Sequence, residues 1–207
     1  MYYRPRVECE PRGVGKSTNA EAAVVSWIAR KRRRMTGYVG LDEERAEQHF
    51  RTIKAMLESD KLVADYPHCK PGVQKVRSMA TQWSREAIVT ANGAMVVPVT
   101  LLGSRRGWKS SDGKRFDSLI LDDIDKLGQS PELRAKLIEL LKSEILAAGD
   151  DNTLVLMPQN LIHRDSSCAQ ILDHRADILS DRDFRGPYPL LKQYEAVKEE
   201  MPDGSIS

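Results

Sequence analysis

Short unbroken apolar runs alternate along this chain with longer stretches in which apolar residues recur every three or four positions. Ser118-Leu119-Ile120-Leu121 and Thr153-Leu154-Val155-Leu156-Met157 are runs of the first kind, bounded by polar residues. A strand buried on both faces of a parallel sheet has this pattern. Arg6–Glu10 and Gly37–Gly40 read as shorter strands of the same sheet. The second kind begins with Ala22, Ala23, Val24, Val25 and Ile28, in a helix expected from about Ser17 to Arg33. Ala46, Phe50, Ile53 and Leu57 follow Asp42, a residue suited to an N-cap, and mark another helix face. Ser130-Pro131 opens a third, with Pro in its first turn and Leu133, Leu137, Leu140, Leu141 and Ile145 inward until Gly149 ends it. Ser166 caps a fourth, running towards Leu172.

Between these lie the breakers. Asn92-Gly93 separates Glu86–Thr90 from Ala94–Thr100. It predicts a tight hairpin with positive φ at both central positions. Gly103–Gly113, with its glycines, serines and basic residues, reads as a loop, and the chain from Arg182 onward reads as a linker or frayed end. Strands alternating with helices predict an α/β fold, a mainly parallel doubly wound sheet sandwiched by helices. The predicted division is one domain over 1–180 and a tail over 181–207. A chain of 207 residues is long enough for one such domain.

The first strand and helix meet at Pro11-Arg12-Gly13-Val14-Gly15-Lys16-Ser17-Thr18. This reads as a phosphate-binding loop opening a helix. Gly13 and Gly15 let the backbone curl so that successive N–H groups face phosphate oxygens. Lys16 supplies a point charge, and the Ser17 hydroxyl suits Mg²⁺. The usual pattern has glycine where this chain has Glu10. The second chemical element is Leu121-Asp122-Asp123-Ile124-Asp125, at the C-terminal end of a predicted strand. Ligands bind at that edge of an open α/β sheet. Asp122 is the candidate for Mg²⁺, directly or through water, and Asp123 for orienting or deprotonating an attacking water. Phosphoryl transfer asks for little more than metal, placed water and clamped phosphates. Gln159 and Asn160 end the next strand and reach the same edge, where a side-chain amide can sense a γ-phosphate.

Charge and cysteine content change the picture little. Net charge is +2, so the chain has no global polyanion signature. The basic residues nevertheless cluster, at Arg30–Arg34 and again at Arg105, Arg106, Lys109, Lys114 and Arg115. The first cluster fits a solvated helix end or a nucleic-acid contact, and both readings stand. Cys9, Cys69 and Cys168 lack paired spacing, which suggests a reducing compartment without disulfides. No apolar stretch spans a membrane, and Met1–Arg6 lacks the apolar core of a leader. A cytosolic protein is expected.

As a set, the loop with its internal arginine, Arg106-Gly107, Ser-Leu-Ile-Leu-Asp-Asp-Ile-Asp and Val-Leu-Met-Pro-Gln-Asn-Leu-Ile-His resemble the ATPase domain of tailed-bacteriophage terminase large subunits. The likeness runs from about Arg6 to Leu172. It implies an ASCE-type P-loop NTPase that uses ATP and Mg²⁺ to drive double-stranded viral DNA into a procapsid. Arg12 to Thr18 would bind nucleotide, with Arg12 at the γ-phosphate. Ser17 and Asp122 would hold the metal. Asp123 stands where the family usually has Glu. Gln159 and Asn160 fall in the motif that couples phosphate state to motion, and Arg106 would be a finger into a neighbouring subunit. The implied partners are DNA, portal protein, the small terminase subunit and further copies in a ring, in the cytoplasm of an infected bacterium. No nuclease activity is expected of this chain. A helicase-like or other nucleic-acid-stimulated ATPase and a non-hydrolysing nucleotide-binding scaffold are the alternatives.

Overall fold

The computed structural model of the protein describes residues 6–9, 11, 13–72, 87–102, 115–180 and 183–185. Its strands are β1 (Arg6–Cys9), β2 (Met35–Gly40), β3 (Ile88–Val89), β4 (Met95–Thr100), β5 (Phe116–Leu121), β6 (Gly149–Gln159) and β7 (Asp183–Arg185). They form one sheet in the order β3-β4-β2-β5-β6-β1-β7. Every neighbouring pair is parallel except β3 with β4. The helices are α1 (Lys16–Ala29), α2 (Glu43–Leu57), α3 (Asp60–Asp65), α4 (Pro131–Leu140) and α5 (Ser167–Leu172). The chain after α4 continues as a wide turn over Leu141–Ile145 and a tight one over Leu146–Ala148.

Both faces of the sheet are covered, which is why its strands read as continuous apolar runs. On one face, Ala20, Val24 and Ile28 of α1 and Phe50, Ile53 and Leu57 of α2 pack over Tyr38, Val96 and Ile120. On the other, Leu137 and Leu141 with Cys168 and Ile171 cover Val39, Leu119, Leu121, Val155 and Met157. The expected α/β sheet sandwiched by helices is therefore present. Period-two alternation sorts the strand residues. Thr36 pairs with Ser118 across β2 and β5, and their buried hydroxyls bond at 2.7 Å. Tyr38 and Ile120, one pleat further, face the α1–α2 layer. Asp122 is the next residue in that series.

Several boundaries differ from the pattern-based expectation. The α1 helix stops at Ala29, four residues short of Arg33, and Lys31 then turns left-handed at φ 55°. Part of the basic run has a structural use. Asp117 accepts from the backbone N of Arg34 at 2.6 Å and of Met35 at 3.2 Å, while the Arg33 guanidinium donates to the Asp117 carbonyl at 3.0 Å. Arg30, Lys31 and Arg32 remain exposed. The hairpin forms, but of the residues in its turn only Gly93 has positive φ, at 79°. Thr90 N bonds Ala94 O at 2.9 Å and Gly93 N bonds Thr90 O at 2.8 Å, so the loop has three residues, with glycine at its left-handed end. Residues 183–185, expected within the tail, add β7 beside β1.

The close approach of β2 to α2 rests on Gly40. A Cβ there would stand 2.8 Å from the backbone N of Ala46, which cannot swing aside as a side chain would. Gly40→Ala is expected to cost on the order of 1–3 kcal/mol by overpacking. Urea denaturation should show a lower midpoint at unchanged slope. An unchanged midpoint would mean that α2 can shift freely.

Candidate functional site

Chain direction decides what meets at the C-terminal edge of the sheet. Cys9, the last residue of β1, pairs with Gln159. Asn160 therefore emerges beside the loop that joins β1 to α1. Ile120 pairs with Leu156, and three residues further along each strand stand Asp123 and Gln159. The sheet thus brings the loop, the acidic turn and the amide pair to one place.

Gly13 and Gly15 adopt left-handed backbone at φ 85° and 79°, and the space where each Cβ would stand is open. The curl ends in α1, which starts at Lys16 without a capping side chain. Asp42, Ser130 and Ser166 do cap α2, α4 and α5. The uncapped first turn leaves backbone N–H groups and the positive end of the helix facing outward, a setting suited to an anion. A cavity of about 370 Å³ lies in front of it, lined by Gly13, Gly15, Lys16, Ser17, Thr18, Asp123 and Asn160. Val14 projects outward, 43% exposed.

Lys16 is nearly buried, and its Nζ donates to Asn160 Oδ1 at 2.8 Å. The other end of that amide, Nδ2, donates to Asp123 Oδ1 at 3.0 Å. Asp123 has a left-handed backbone at φ 45°, an uncommon conformation that Asp tolerates better than most residues. Three hydrogen bonds from two side chains hold the turn. Gln159 Nε2 donates to Leu121 O at 2.7 Å, Ile124 N donates to Gln159 Oε1 at 3.2 Å, and Arg45 donates to Asp123 O at 3.0 Å. Gln159 is thus a buried strut under the acidic turn, and its neighbour Asn160 lines the cavity.

Asp122 is fully buried and meets the loop directly, since Ser17 Oγ donates to its Oδ1 at 3.1 Å. Tyr38 Oη donates to Oδ2 at 2.7 Å, and His49 Nε2 stands 3.6 Å from the same oxygen. Glu21 Oε1 lies 2.7 Å from His49 Nδ1. Burial raises the Asp122 carboxyl above its ordinary value, a shift that Tyr38, His49 and Ser17 oppose and Asp123 reinforces. Burial and then the Asp122 charge push the Tyr38 phenol up, so it keeps its proton and donates. For His49, burial favours the neutral ring, but the bond to Glu21 and the charges of Asp122, Glu21 and Asp123 outweigh it and raise its value.

Arg12 and Arg106 lie outside the described residues, as does Glu10. Gly13, Gly15, Lys16, Ser17, Thr18, Asp122 and Asp123 converge as described. Tyr38, His49, Glu21 and Arg45 escaped the motif reading. The signal for them was weak but present: Glu21 is an acid among the alanines of an apolar helix, and His49 adjoins Phe50 on the buried stripe of α2. Neither protein-family models nor curated proteins yield a match to the chain. No described helix is long and apolar enough to cross a membrane.

The donors suit Mg²⁺. Ser17 Oγ and Asp122 Oδ1 are adjacent hard oxygens beside an anion cradle. Among the described residues no three His, Cys, Asp or Glu side chains form a metal cage. A nucleotide's Mg²⁺ needs none, since it is commonly held by one or two carboxylates, phosphates and water.

The raised His49 value has a consequence for stability. A group that holds its proton more tightly when folded stabilises the protein below its ordinary value, here 6.5, and that contribution fades as pH rises through the folded value. Melting temperature in the absence of ligand should therefore fall as pH climbs above 6.5, and His49→Gln should flatten the decline. An equal decline in the variant would assign it to other groups.

Proposed function

We propose that the protein is a Mg²⁺-dependent ATPase of the ASCE-type P-loop class, and that it is the packaging-motor domain of a terminase large subunit. One observation carries the ATPase reading: Ser17 of the glycine loop, which lines the cavity with Lys16, donates to Asp122 of the acidic strand at 3.1 Å. Residues 105 positions apart in sequence meet where the chemistry needs them. The strand β6 between β1 and β5 further supports the ASCE-type assignment, because it delivers Asn160 between the loop and the acidic pair. The terminase reading rests on the motif resemblance.

Each side chain then has a task. Backbone N–H groups from Gly13 to Thr18 surround the outer phosphates, and Lys16 leaves Asn160 to neutralise them. Ser17 and Asp122 would hold Mg²⁺, which would supply neutralisation of phosphate charge. Asp123, its Oδ1 anchored by Asn160, orients a water and accepts its proton as the water oxygen bonds to the γ-phosphorus and ADP departs. Arg12 and Arg106 would add positive charge at the γ-phosphate, the second from a neighbouring subunit. Double-stranded DNA is the expected substrate of the motion, with exposed Arg30, Lys31 and Arg32 available to contact phosphates.

Phosphate release from ATP is the direct test. Lys16→Ala should abolish it, and Asp123→Asn should keep binding of a fluorescent ATP analogue while losing turnover. Phosphate release unaltered by Lys16→Ala would be background and would leave a non-hydrolysing scaffold at most. Arg106→Ala should lower the rate by about 10³-fold or more. Mixing it with Asp123→Asn should restore part of the rate, since each variant supplies what the other lacks. Absence of recovery would argue that the finger does not act between subunits.

A further inference from the structure

Four side chains from four elements meet behind the cavity: Glu21 of α1, Tyr38 of β2, His49 of α2 and Asp122 at the end of β5. None of the four lines the cavity; Asp122 reaches it through the Ser17 side chain, which does. The Asp122 carboxylate is divided. Oδ1 turns to Ser17, while Oδ2 takes the Tyr38 hydroxyl at 2.7 Å and has His49 Nε2 at 3.6 Å. The imidazole is itself fixed. It stacks on the Tyr38 ring with centroids 4.9 Å apart and planes 27° apart, and its other nitrogen bonds Glu21 at 2.7 Å. A carboxylate held on one oxygen alone can rotate about its last side-chain bond. The Tyr38 donor on the second oxygen, with the His49 ring edge close beside it, removes that freedom and aims Oδ1 at the Ser17 side.

We infer that Tyr38 and His49, backed by Glu21, are positioning residues that set the divalent-cation affinity of the nucleotide site. The inference rests on the Mg²⁺–nucleotide reading above. Mg²⁺ demands near-octahedral geometry at short distance, so a misaimed carboxylate weakens the cation more than the phosphates. Glu21 lies one turn beyond Ser17 on α1, so the same chain also ties the serine's helix to the aspartate's strand. Outer partners of metal-binding carboxylates commonly change metal affinity by about 10–100-fold.

The test is Mn²⁺ binding to the whole protein in the presence of ADP, followed by loss of the free-Mn²⁺ electron paramagnetic resonance signal. Tyr38→Phe and His49→Ala should each weaken Mn²⁺ about tenfold or more. His49→Gln, which restores an N–H donor, should recover part of the loss. Binding of a fluorescent ADP in EDTA should be the same in all of them. Equal Mn²⁺ affinity in wild type and both variants would overturn the relay and leave the nucleotide site standing. Wild-type protein that takes up no Mn²⁺ with ADP would overturn both. A parallel loss of metal-free ADP binding would also overturn the relay, because it would reveal general damage to the fold. Circular dichroism checks folding, and should Tyr38→Phe fail to fold, the His49 pair decides alone.

Discussion

A carboxylate with no solvent exposure governs how the helices on one face meet the sheet. Asp122 cannot be left bare in the interior, because an uncompensated buried charge is far costlier than a buried apolar group. Its partners are drawn from three other elements: Ser17 from α1, Tyr38 from β2 and His49 from α2. The apolar contacts of Val24, Ile28, Phe50 and Ile53 hold that layer down. The polar contacts around Asp122 help set its register, because α1 must bring the Ser17 hydroxyl and α2 the His49 imidazole to a carboxylate that Tyr38 of β2 already holds.

The acidic turn that follows is shaped by a second set of contacts. Gln159 spans the turn through Leu121 and Ile124, Arg45 holds its carbonyl, and Asn160 links its carboxylate to Lys16. A residue with φ of 45° persists where its surroundings over-determine it. The chain Lys16–Asn160–Asp123 also means that the loop cation and the acid at the site's edge share one amide. Whatever draws Lys16 away releases Asn160 Oδ1 and changes the setting of Asp123. In the proposed function this is the route by which an outer phosphate is felt by the end of β6, and it makes Asn160 the informative member of the amide pair. Gln159, adjacent in sequence, is spent on the backbone.

The architecture was legible because buried strands and amphipathic helices leave opposite signatures. The runs in β5 and β6, the stripe of α2 and the caps Asp42, Ser130 and Ser166 all appear where the pattern put them. Boundaries were less legible. The α1 helix ends at Ala29 because the residues after Lys31 are engaged by Asp117, a partner 83 positions beyond Arg34. The strand β7 is three residues long, and its pairing with β1 leaves no periodic trace in a polar stretch. Cys9 and Cys168 read as unrelated, yet their thiols are hydrogen-bonded, which pushes Cys168 well above its ordinary value. None of the three cysteines forms a disulfide, and all are buried.

The sequence by itself determined the ingredients of the site: two glycines for left-handed backbone, a lysine and hydroxyls at a helix start, and two acids closing a strand. Each follows from local chemistry, since glycine alone tolerates such turns at no cost and strand ends in a parallel sheet face ligands. Only the tertiary structure decided which of the acids meets Ser17, which amide faces the cavity, and that a tyrosine, a histidine and a glutamate stand behind the aspartate. Those choices depend on strand order and on the packing of helices across the sheet. Contacts between residues about a hundred positions apart are fixed by the whole fold at once, and no short stretch of chain encodes them.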